Sequence, residues 1–166
     1  MSLSLKRLSF ASVAAAVERA AHYRDLNQPE EAESICRDVL DVEPDNQTAQ
    51  KLLGLAITDR FTAREPTLLE DAVAAFEHLK DEYERVYHVG VAWERAAKAH
   101  LEKGEAHSAV TAFEHAMSLF DRVEKLRPAS PDPILRWNRC VRLLTSHPLL
   151  KAALAQPRDH DVRFGD

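Results

Sequence analysis

The sequence predicts an all-α protein built from stacked helical hairpins, and three observations lead there. Apolar residues recur at helical spacing along the chain, between breaks that carry Pro, Gly or Asn. Three stretches align on one frame of about 34 residues, the length of a helix-turn-helix unit. Within that frame, short and bulky side chains alternate at fixed offsets, which a merely amphipathic helix would not do.

The clearest copy of the frame carries Trp93, Ala97, Gly104, Ala109, Phe113 and Ala116. A second carries Ala20, Tyr23, Ala32, Cys36, Val39 and Pro44. A third, split by an insertion, carries Leu53, Gly54 and Ile57, then Ala72, Phe76 and Leu79. Ala20, Gly54 and Ala97 share one position, and Ala32, Ala72 and Ala109 share another. Small residues belong where helices cross closely; Tyr23, Ile57, Phe76, Trp93 and Phe113 fill the spaces between crossings.

The elements follow in order. An Ala-rich helix covers about residues 10–26, and Asn27-Gln28-Pro29 breaks it. Pro29 suits the first turn of the next helix, and Glu30 and Glu31 favour its positive end. That helix reaches about Val42; Asp45 is the expected cap of a helix over Gln47 to Arg60. Residues 61–66 form an extra loop. Thr67-Leu68-Leu69-Glu70 has capping-box spacing and starts a helix at Leu68. A break is expected near Asp81 to Arg85. Gly104 ends the Trp93 helix, and its partner runs from Glu105 to Leu126. Asp132 is the expected cap of a helix from Ile134 to about Thr145, and Leu149 to Ala155 forms a short last helix. The repeats span about 13–46, 47–86 and 90–127, with a capping helix at 133–146. Together they form one domain over 1–156, followed by a polar tail over 157–166.

Composition narrows the function. The chain has 166 residues, enough for one domain, with only 4 glycines, which disfavours Gly-lined phosphate loops. A net charge of −5 argues against a general attraction to nucleic acid or anionic lipid. The apolar run Phe10 to Val17 ends at Glu18 and Arg19, too short to span a bilayer. Cys36 and Cys140 form no paired motif and are expected to be buried thiols of a reducing, cytoplasmic compartment.

The frame resembles the tetratricopeptide repeat, whose pattern sets Trp, Leu-Gly and Tyr on one helix and Ala, Phe, Ala and Pro around the next. The resemblance covers about residues 13–146. It departs at Arg19, at the insertion in the second repeat, at His100 and at Asp121. It implies a right-handed α-solenoid of about three hairpins plus a capping helix that places Trp137, Cys140 and Val141 on packing positions. It also implies a concave groove, lined by the first helix of each hairpin, that binds a peptide or a segment of a partner protein.

Chemistry of other kinds finds little footing. The sequence has no Walker, dinucleotide, nucleophile-elbow, zincin or CxxC motif, so no catalytic residue and no cofactor is assigned. None of the 8 histidines makes a helical i, i+4 pair with another His or Cys, so no metal site is expected either. His22, His78, His88 and His147 are expected to be surface or partly buried residues, and Asp159-His160-Asp161 to lie in a solvated tail.

On the groove, the exposed positions of the third repeat include Glu94, Arg95, Lys98 and Glu102; those of the capping helix are Asn138, Arg139 and Arg142. Arg95 matches Arg139 one repeat on, and Lys98 matches Arg142, while Arg24 and Lys51 extend the row. Such a stripe suits carboxylates, so the expected partner is an acidic protein segment. The competing reading, which weighs slightly more, is that these are ordinary solvated helix faces with local ion pairs. The carboxylate clamp of some family members is incomplete here: Lys51 and Arg95 fall on two of its positions, but Leu55 and Val91 replace other members. Trp137 beside Arg136 and Arg139 raises nucleic-acid stacking, which the packing position of Trp137 argues against. A self-associating chaperone or adaptor, and so a homo-oligomer, is the second functional reading.

Overall fold

A computed structural model describes residues 3–61 and 68–156. Within these residues the chain is all helical, with eight α-helices after a 3-10 turn at Phe10–Ser12 and no strand. They are α1 (Val13–Asp25), α2 (Pro29–Val42), α3 (Gln47–Asp59), α4 (Leu68–Glu77), α5 (Glu82–Glu102), α6 (Ala106–Leu126), α7 (Asp132–Ser146) and α8 (Pro148–Ala155). The expected loop after Phe61, the Thr67 cap and the tail over 157–166 lie outside the described residues.

Local chemistry sets the helix ends. Asn27 adopts a φ of 58°, a left-handed conformation that Asn tolerates, and stops α1. Pro29 then opens α2 with Glu30 and Glu31 in its first turn. Asn46, not Asp45, caps α3: its Oδ1 accepts from the Ala49 amide at 2.9 Å. The break before α5 lies at residues 78–81, slightly ahead of the expected place. Asp81 decides it, because its carboxylate accepts from the Glu84 amide at 2.9 Å and starts the helix there. In consequence α5 begins well before residue 90, the expected start of the third repeat. At Gly104, φ is +79°, and the Glu105 amide donates to the His100 carbonyl at 2.9 Å. Asp132 sits inside the first turn of α7 and makes no cap; Pro131 occupies the capping position, and its carbonyl accepts from Leu135 at 3.0 Å.

Each helix packs on its chain neighbours, and α1 also packs on α3, α3 on α5, and α6 on α8. Ion pairs join the end of α1 to the end of α3 (Arg24–Asp59) and the start of α3 to the start of α5 (Lys51–Glu84). The first helices of successive hairpins therefore run parallel.

The small-and-large pattern is the core itself. Ala20, Ala32, Ala72, Ala97 and Ala109 are fully buried, as are Phe76 and Phe113. A Cβ on Gly54 would stand 2.4 Å from Cε1 of Phe76, and one on Gly90 would stand 2.8 Å from Cε1 of Phe120. Hydrogen in place of a side chain is what lets these rings lie on the helix backbone. The α5–α6 hairpin is longer than the frame requires, at 21 residues per helix. Its extra turns bury Tyr83, Val86 and Val123 as a separate cluster.

Trp137 departs from expectation: it is 37% exposed rather than core. Trp93, its counterpart, is half-buried and stacks on His115 with ring centroids 4.7 Å apart. No aromatic ring among the described residues stacks on Trp137.

Candidate interaction surface

The cations expected to line a groove sit on α1, α3, α5 and α7, and most of them are already paired. Arg24 and Arg95 converge from α1 and α5 on Asp59 at the end of α3. Arg24 Nε donates to Oδ2 at 2.5 Å, and Arg95 donates to Oδ1. Arg95 also donates to the Thr58 hydroxyl at 2.5 Å, and that hydroxyl donates to the Leu55 carbonyl at 2.7 Å. Lys51 lies 3.3 Å from Glu84.

The second meeting point is Glu94. Its place in the repeat predicts an exposed position, yet its side chain has no exposed area. Lys98 Nζ donates to its Oε1 at 2.5 Å, and Arg136 Nη1 donates to its Oε2 at 2.8 Å from α7. Arg136 Nε also donates to the Tyr87 hydroxyl at 3.3 Å. Burial alone would push the Arg136 guanidinium down; Tyr87 and Glu94 outweigh it and hold it above its ordinary value. Periodicity could have revealed Glu94: it shares a helical face with Gly90, Val91 and Ala97, all buried.

The expected bare stripe is thus an interleaved ladder. Asp59 sits between Arg24 and Arg95, and Glu94 between Lys98 and Arg136, so each trio keeps a net positive charge. Asp59 and Arg95 of one trio and Lys98 of the other line a cleft of about 230 Å³ between α3 and α5, with Thr58, Phe61, Ala99 and Glu102. Asn138, Arg139 and Arg142 are exposed on α7. Neither arginine has a carboxylate within salt-bridge distance among the described residues. Around the incomplete clamp, Leu55 is half-buried and Val91 buried.

Other candidate groups have structural surroundings. Burial pushes the Cys36 and Cys140 thiols up to about 12, away from the range of a reactive thiolate. His100 Nδ1 lies 2.6 Å from Glu105 across the Gly104 turn, and this bond holds the Glu105 carboxyl below its ordinary value. Among the described residues, no group of three His, Cys, Asp or Glu side chains could hold a metal ion. Nor is any described helix long and apolar enough to cross a membrane.

His88 is buried, more deeply than the surface or partly buried place expected for it. Its Nδ1 lies 2.7 Å from the Glu84 carbonyl, and its ring lies between Phe76 and Tyr87, with centroids 5.2 Å from each. Burial lowers its pKa, and the Glu84 carbonyl and carboxylate only partly oppose this. The unfolded chain therefore takes up this proton first, near the ordinary value of 6.5. Stability contributed by the neutral ring is complete above that value and is lost as pH falls below it. Urea midpoints should drop between about pH 7 and pH 5, and the drop should be smaller in His88→Gln.

No protein-family model matches the chain, and no curated protein is detectably similar to it.

Proposed function

We propose that this protein is a non-enzymatic interaction module. Its hairpins stack as a right-handed α-solenoid of the tetratricopeptide type, and α1, α3, α5 and α7 line a concave surface that binds an acidic segment of a partner protein. The buried, unpaired thiols suit a reducing compartment, and we place the protein in the cytoplasm. Packing of α1 on α3 and of α3 on α5, with Gly54 and Gly90 at the α3–α4 and α5–α6 crossings, supports the stacked arrangement.

One observation carries the binding surface. Arg139 and Arg142 are exposed without a carboxylate partner, whereas Arg24, Lys51, Arg95 and Lys98 are satisfied internally. Unpaired guanidinium groups beside exposed Leu135 and Trp137 give charge and apolar contact together, the mixture that anchors a docked peptide. The paired cations act mainly as scaffold, since Lys98→Glu would set a second carboxylate against buried Glu94.

The test is titration of a fluorescently labelled Glu/Leu peptide, with a Lys/Leu peptide as control. The acidic peptide should bind, more weakly as salt rises, and Arg139→Glu combined with Arg142→Glu should weaken it about tenfold at unchanged helicity. Equal affinity of the double variant, or no preference for the acidic peptide, would remove this surface from consideration.

A further inference from the structure

We infer that copies of this chain stack end to end, the outer face of α7 in one copy docking on the open groove between α1 and α2 of the next. This rests on the proposed linear array of hairpins and goes beyond it by making the two ends of the array partners for each other.

Inside the chain, each early hairpin is covered by the helix that follows it. The α3 helix packs on both α1 and α2, and α5 packs on both α3 and α4. The groove on the other side of the first hairpin has no such cover among the described residues. It is a cleft of about 310 Å³ whose apolar lining is Leu8, Ala15, Ala16 and Ile35, with Arg19 and Asp38 beside them. At the far end, Leu135 is 61% exposed, the most of any large apolar side chain in α1 to α8. Helical spacing sets Leu135, Asn138 and Arg142 on one face of α7, turned away from Arg136, which reaches back to Glu94.

The two surfaces are complementary in charge. Arg139 and Arg142 have no carboxylate partner; Glu18 and Asp38, exposed at the opposite end, have no cationic partner among the described residues. Arg19 offsets one of those two negative charges. A parallel approach, as between α1 and α3, sets Ile134 and Leu135 at the start of α7 beside Ala11, Ala14 and Ala15 at the start of α1. Arg139 and Arg142 then fall toward Glu18. This continues from copy to copy the helix-on-hairpin packing found within one chain. Because the two docking surfaces differ, the contact is heterologous and does not close at a dimer.

Sedimentation velocity on the full chain, from micromolar to millimolar concentration, reads this directly. The average mass should climb with concentration, and more steeply at low salt. Leu135→Glu and Ala15→Arg should each stay monomeric over the same range with unchanged helicity, because both positions are exposed. Mixed together, the two variants should associate again, since each keeps one intact end. A wild-type chain that remains monomeric throughout, or an Ala15→Arg variant that associates like wild type, overturns the inference. The Ala15→Arg variant keeps both α7 arginines, so acidic-peptide binding measured on it separates loss of self-association from failure of the proposed function.

Discussion

Gly54→Val is expected to destabilise the protein by about 3 kcal/mol, the upper end of the usual cost of overpacking a core. The reason is geometric. A Cβ at this position stands 2.4 Å from Cε1 of Phe76 and 2.7 Å from its Cδ1 and Cζ. The ring cannot swing aside cheaply, because Phe76 is fully buried among residues of α3 and α4 that are themselves close-packed. The two helices must instead move apart, and every crossing that depends on their distance loosens with them. Urea unfolding should show the loss, and adding Phe76→Leu should make the combined cost smaller than the sum of the single ones. Gly104→Ala is the contrasting control. Nothing lies within 4 Å of a Cβ there, so only its φ of +79° is strained, and about 1 kcal/mol is expected.

Glu94→Ala should cost about 3 kcal/mol, the lower end for breaking a buried ion pair. The lower end applies because Lys98 and Arg136 are each 34% exposed and regain some water when the carboxylate goes. What they do not regain is the bridge from α5 to α7. Hydrogen exchange should therefore quicken in α7 well beyond the global change, and Glu94→Gln, which keeps the shape and an acceptor oxygen, should sit between wild type and Ala. Unaltered protection of α7 in Glu94→Ala would mean that this bridge does not hold the helix.

The helical class and the order of the helices were largely legible because their determinants are local. Pro29, Asn27 and Gly104 act on their own few residues, and the positions of Ala20, Gly54, Ala72 and Phe76 follow from a period. Errors arose where two short polar residues compete for one cap, as Asp45 with Asn46, or where no Pro or Gly marks a break, as at Asp81. The site was harder to read. Partners of Arg24, Arg95 and Lys51 come from other helices, so whether a cation is free or satisfied depends on tertiary contacts that no short window contains. Glu94 is the instructive case: its burial could be read from Gly90, Val91 and Ala97, but its partner Arg136 lies a whole hairpin away. The exposure of Trp137 was hidden for the opposite reason. Its position in the repeat implies a covering neighbour, and the described residues cover it only in part.

The pairing of α5 with α6 has a consequence for how the molecule comes apart. These two 21-residue helices are joined by a tight glycine turn, and they bury Tyr83, Val86 and Val123 as a cluster of their own. Contacts between close chain neighbours form quickly and cost little loop entropy. The α5–α6 hairpin should thus act as the nucleus from which order spreads in both directions. On gentle heating the outer hairpins should melt first, leaving a helical remnant around Gly90 and Phe120.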